Sequence, residues 1–136
     1  MSEEKINEAQ AEEALGKYAD NVGEDDVKGI ADKEDDIKKL FRRVKVLAKY
    51  FNDLCEIFEL LRDRVKGVYT ETPWTTITAL IGALLYVLSP LDLIFDFIPV
   101  IGFLDDAVVF GLAVKLAQSD LEKYRAWKAE RAEKGK

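Results

Sequence analysis

The chain has 136 residues, 26 acidic and 20 basic, with no His, one Cys and one Met. That is enough for one domain and too few for two ordinary ones, and the hydrophobic and charged fractions are those of a folded, helix-rich protein. The lack of His removes the commonest general base and metal ligand, and a lone Cys excludes an internal disulfide and a Cys/His zinc site.

Residues 1–31 read as an acidic arm. Residues 1–36 carry 13 acids and 4 bases, and the first sixteen have no apolar run of the kind a signal peptide needs. Ser2, Glu3 and Glu4 suit a helix start, but the apolar face of Ile6, Ala9, Ala14, Leu15 and Tyr18 is thin, and Gly23 and Gly29 interrupt the rest of the arm. The arm is expected to be weakly helical and loosely docked, or disordered.

Next comes the strongest periodic signal. Ile37, Leu40, Phe41, Val44, Leu47, Phe51, Leu54, Cys55, Phe58, Leu61 and Val65 predict one long amphipathic helix, with Asp32 as N-cap and Gly67 at its end. Cys55 falls on the apolar stripe as a buried thiol. Lys38, Lys39, Arg42, Arg43, Lys45 and Lys49 crowd the first half of the helix. Most of that charge reads as ordinary surface pairing with Glu34 and Asp35, the sharper alternatives being attraction to anionic lipid or to the acidic arm.

Thr72-Pro73 predicts the start of a third helix, Thr capping and Pro in the first turn. No residue from Thr72 to Leu91 is charged. Ser89-Pro90 repeats the device and is expected to restart a short helix, which Ile98-Pro99 ends. A final helix follows Gly102 towards Lys128, with Tyr124 and Trp127 continuing its apolar edge. No strand pattern or internal repeat appears, so the fold class is all-α: a small bundle in which the long amphipathic helix covers a hydrophobic helical hairpin. Residues 32–132 form the domain and 133–136 a basic tail.

The chemistry concentrates in SPLDLIFDFIPVIGFLDD, which starts at Ser89. Asp92 completes an S-x-x-D box with Ser89, and Asp105 and Asp106 fall in the first turn after Gly102, where free amides and the helix dipole favour an anion. Asp96 lies at a helix end, the unfavourable one for an anion. It is expected to lock the loop through amides near Gly102 or through Lys115. The four aspartates are also the candidates for a hard-cation site, although their spacing matches no calcium loop. No nucleophile, phosphate loop or cofactor motif accompanies them, so neither an enzyme nor a cofactor is expected.

These residues carry a resemblance. Ser89, Pro90, Asp92, Leu93, Ile94, Asp96, Ile98, Pro99, Gly102, Asp105 and Asp106 resemble the signature of the YkvA-like family of small bacterial helical domains, with Phe95 standing where that family has a Pro. The resemblance covers about residues 73–115 and implies a membrane-associated protein of unknown function, with no assigned reaction.

Trp74–Leu91 would make a helix of about 27 Å, marginal for a hydrocarbon core of about 30 Å. Only eight residues separate Asp106 from Lys115, far short of a second span. A two-pass hairpin would bring Asp105 and Asp106 into or near the bilayer, which is expensive. The expected protein is therefore a non-enzymatic helical module, peripherally associated with the cytoplasmic face of a membrane through Trp74, Tyr124, Trp127 and basic residues. The alternatives are a soluble cytoplasmic adaptor that binds another protein, and a carboxylate-based divalent-cation binder. No basic surplus marks the folded part, so nucleic acid is not an expected partner, and no small-molecule substrate is indicated.

Overall fold

The computed structural model describes residues 8–93 and 102–134, with side chains over 9–88 and 106–134. Every described element is a helix: α1 (Glu8–Ala19), α2 (Glu24–Asp32), α3 (Glu34–Arg43), α4 (Lys45–Ala48), α5 (Phe51–Val65), α6 (Trp74–Leu93) and α7 (Gly102–Lys134). The all-α bundle is built around α6 and α7, which pack on each other as an antiparallel hairpin. Near one end, the Thr76 hydroxyl donates to Asp120 at 2.5 Å.

The acidic arm departs from expectation over its described part, because it belongs to the core. Ala11 and Leu15, one turn apart on α1, are buried, and α1 packs across both α6 and α7. Tyr18 meets Tyr86 edge-on with ring centroids 5.3 Å apart. The thin apolar face suffices because α6 presents Gly82 there. A Cβ at that position would lie 2.8 Å from the Ala19 nitrogen, so the two backbones touch where a side chain would hold them apart. Gly23 does separate α1 from α2, and its N–H donates to the Asp26 carboxylate at 2.9 Å. Gly29 interrupts nothing and lies inside α2, whose Val27 and Ile30 are buried.

The long amphipathic helix is also corrected, since it comes in three pieces. Val44 is extended (φ −94°, ψ 115°), and α4 ends at Ala48 before α5 begins. The apolar period runs on through both breaks, but one helix over 37–65 would be about 43 Å long against about 30 Å for α6. Folding the segment lets Ile37 and Phe41 on α3 and Leu54, Ile57, Phe58 and Leu61 on α5 all reach one core. It also swings Tyr50 onto Phe110 of α7, with centroids 5.5 Å apart.

The helix ends agree with expectation to different degrees. Asp32 closes α2, and the N-cap position of α3 is Lys33, with no side-chain cap bond. Gly67 ends α5 as expected. Its φ of +76° is a left-handed value that Gly adopts without strain, and the Val68 N–H donates to Asp63 O at 2.8 Å while Gly67 N–H donates to Arg64 O at 3.0 Å. At the next start the Pro73 carbonyl takes the first helical bonds, from Thr76 and Ile77. Thr72 therefore sits one residue outside the cap, its hydroxyl buried and without a hydrogen-bond partner.

Ser89-Pro90 does not restart the chain. α6 runs through both to Leu93, which places Ser89 inside a helix rather than at its N-terminus. α7 likewise continues past Lys128 to Lys134. Cys55, expected in the core, is only partly buried.

Candidate functional site

The hairpin carries different chemistry at its two ends. One end holds the aspartate motif, with Asp92 in the last turn of α6 and Gly102, Asp105 and Asp106 in the opening turns of α7. The side chains of Ser89, Pro90, Asp92 and Asp105, and all of Asp96 and Pro99, lie outside the described residues, as do the roles expected of them. Asp106 is described, and it is fully buried. By sequence alone it is a helix-start acid like its neighbour. Its position one turn before Phe110 and two before Ala113, both buried, is the signal that it faces the core. Among the described residues no cluster of three or more acids or thiols is arranged to hold a metal ion.

Lys115, the expected partner for Asp96, is exposed more than two turns along α7 from Asp106. It lines a shallow groove of about 350 Å³ with Ala11, Tyr50, Val108, Gly111 and Leu112.

The other end is aromatic and basic. Tyr69 lies 5.0 Å from Tyr124 and 4.8 Å from Trp127, and Trp127 stacks on Tyr124 at 5.8 Å. The Tyr124 hydroxyl donates to Asp63 at 2.6 Å. Arg131 lies over Trp127 at 5.0 Å, Lys128 over Tyr124 at 5.5 Å and Arg64 over Trp74 at 5.2 Å. Arg125 grips Glu56 with two bonds (2.5 and 3.0 Å), and Lys128 reaches Glu59 at 2.6 Å. The sequence marks Trp74, Tyr124 and Trp127. It does not mark Tyr69 or Asp63, which lie some sixty residues before Tyr124.

Burial, followed by the hydrogen bond to Asp63, pushes the Tyr124 hydroxyl well above the ordinary tyrosine range. The protonated donor is thus the form that the fold favours. A folded-state value above the unfolded one means that this contribution is complete below about pH 10 and fades as pH rises further. Tyr124→Phe is expected to cost about 1–2 kcal/mol in urea unfolding at neutral pH and to weaken the alkaline loss of stability. An unchanged midpoint would show that the bond to Asp63 contributes nothing net.

Ion pairs tie the arm and α3 to α5. Glu34 accepts from Arg62 and pairs with Lys38 at 2.6 Å, while Arg64 pairs with Glu24 at 2.9 Å. Burial alone would raise the Glu34 carboxyl, but Arg62 and Lys38 outweigh it and hold it below the ordinary range. Of the basic run, Lys38 makes the expected i, i+4 pair, Arg42 lies over Phe51 at 5.2 Å and Lys49 lies over Tyr50 at 5.2 Å. The arm's cross-contact is to Arg64, not to that run.

No helix among the described residues is long and apolar enough to cross a membrane. The family described as "Protein of unknown function (DUF1232)" matches residues 76–112, which take in Gly82, Asp106 and Phe110. A Bacillus subtilis protein named "Uncharacterized membrane protein YkvA" is 38% identical over 80 residues, covering 59% of this chain and 76% of the relative. No solved structure matches the chain.

Proposed function

The chain belongs to the YkvA-like family, and from that premise we propose that it is a non-enzymatic helical module held peripherally on the cytoplasmic face of a membrane. The observation that carries the reading is a pairing of two facts. A relative is named a membrane protein, yet no described helix can span a bilayer. Attachment without a span needs an interfacial surface, and the aromatic and basic end of the hairpin has the residue types for one. An anionic leaflet attracts such a surface, which favours the cytoplasmic face. The non-enzymatic part rests on composition and pairing. The chain has no His, and the shifted groups Tyr124 and Glu34 are engaged with Asp63, Arg62 and Lys38.

Cell fractionation tests the reading. The protein is expected in the membrane pellet at low salt and in the supernatant after a high-salt or carbonate wash without detergent. Retention through carbonate would revive an integral hairpin. A protein found in the supernatant at low salt would instead favour a soluble adaptor, with the groove between Ala11, Tyr50 and Leu112 as its contact.

A further inference from the structure

Peripheral attachment leaves open which surface meets the lipid and which way the aspartate motif then points. Four large hydrophobic side chains are exposed among the described residues: Val65 (46%), Val68 (40%), Trp74 (40%) and Leu116 (58%). The first three fall within ten consecutive residues, where α5 turns into α6. Scattered exposed apolar residues need no explanation, but a group on one rigid turn does.

The turn is rigid because Gly67 closes it with two backbone bonds, from Val68 to Asp63 and from Gly67 to Arg64. Val65 and Val68 are thus presented on either side of exposed Lys66 with little backbone freedom left to lose on binding. Trp74 opens α6 with Arg64 over its ring, an indole and a guanidinium side by side. Behind them stands the plate of Tyr69, Tyr124 and Trp127. Indole rings, short aliphatic side chains and basic residues at one end of a helical body are the chemistry of the bilayer interface.

Charge points the same way. The chain as a whole is at −6, and its first 36 residues hold 13 acids against 4 bases. Residues 62–74 and 121–136, the segments at this end, together hold nine bases against five acids. The acids that face the tip are Glu24, paired with Arg64, and exposed Glu71. An otherwise acidic protein therefore turns its cationic end toward whatever it meets there, and an anionic surface is the complement.

We infer that the α5–α6 tip, formed by Val65, Lys66, Val68 and Trp74 and backed by the basic end of α7, seats the protein on the interface of an anionic phospholipid bilayer. α6 then stands away from the surface. Its 20 residues span about 30 Å, so the aspartate motif at its far end faces away from the lipid and stays in water's reach or a partner's. This orientation opposes the two-pass hairpin, in which Asp105 and Asp106 would enter or approach the bilayer.

The inference rests on the peripheral reading, and one experiment separates the two. The full chain carrying Trp127→Phe keeps an aromatic ring on Tyr69 and leaves Trp74 as its sole indole. It is mixed at low salt with phosphatidylcholine vesicles containing about 30% phosphatidylglycerol, brominated near the headgroup end of the acyl chains. Trp74 emission is expected to shift to the blue and to be quenched. Val65→Ser with Val68→Ser and Lys66→Glu should lower partitioning by about tenfold, whereas Leu116→Ser should leave it unchanged. Protein that floats with the vesicles while Trp74 stays unquenched would overturn the tip and leave peripheral attachment standing. Equal partitioning onto pure phosphatidylcholine would overturn the anionic partner. No flotation of the unaltered chain at low salt would overturn both.

Discussion

Gly82→Ala is expected to lower stability by about 2 kcal/mol, although Ala is the better helix former by about 1 kcal/mol. The new Cβ would lie 2.8 Å from the nitrogen and 3.0 Å from the Cα of Ala19, with the Tyr18 carbonyl carbon at 3.3 Å. All three are backbone atoms and cannot rotate out of the way, so α1 must move off α6 as a body. The same exchange at Gly29 supplies the control. That residue lies in α2 with nothing within 4 Å of its would-be Cβ, and Gly29→Ala should gain about 0.5–1 kcal/mol. Urea unfolding of the pair measures the difference, and amide exchange in α1 shows where it acts. Stabilisation of both variants to the same extent would mean that α1 does not seat on Gly82.

That contact also explains why the docking of the arm is hard to see in the sequence. Searching for docking helices means counting apolar side chains, and α1 has few: Ala11 and Leu15 are the buried ones. What holds it is a missing side chain on another helix, and one glycine inside an apolar run carries no label saying what approaches it. The hairpin is easier to read. A stretch without charge from Thr72 to Leu91 can only be buried in protein or lipid, and Pro73 and Gly67 punctuate it for reasons that are local. The breaks around Val44 and Tyr50 have no such punctuation. There the apolar period continues, and the length of the partner helices decides. Pro90 misleads in the opposite direction, because a strong local signal for a helix start falls within α6. An interior Pro costs a helix about 3 kcal/mol, and a helix already packed along its length can bear that.

The candidate sites divide in the same way. Trp74, Tyr124 and Trp127 can be picked out as interfacial residue types, but not the Tyr69 and Asp63 that fix two of them, because those contacts are long-range. Asp106 shows the converse. Its capping position is readable, but position along a helix does not reveal which way the carboxylate faces. Counting back one turn from Phe110 puts it on the core face.

Phe110→Ala is expected to be the most damaging single truncation in the family-matched segment, at about 3–5 kcal/mol. The ring is fully buried and meets two others edge-on, Phe41 at 5.0 Å and Tyr50 at 5.5 Å. Those partners come from α3 and from the joint before α5, the two places where the expected single helix is folded. Phe110 is thus the post around which that segment bends, and its loss removes transfer energy, two aromatic contacts and the reason for the bend together. Collapse around the cavity is limited on one side, because the Tyr50 hydroxyl already packs tightly on Gly111. Leu116→Ala, six residues on and largely exposed on the same helix, should change stability by less than about 0.5 kcal/mol. The check is a paired denaturant series at neutral pH, with near-ultraviolet circular dichroism reporting the aromatic packing. If Phe110→Ala cost no more than about 1 kcal/mol, the bend at Val44 and Tyr50 would have to be held by something other than this ring.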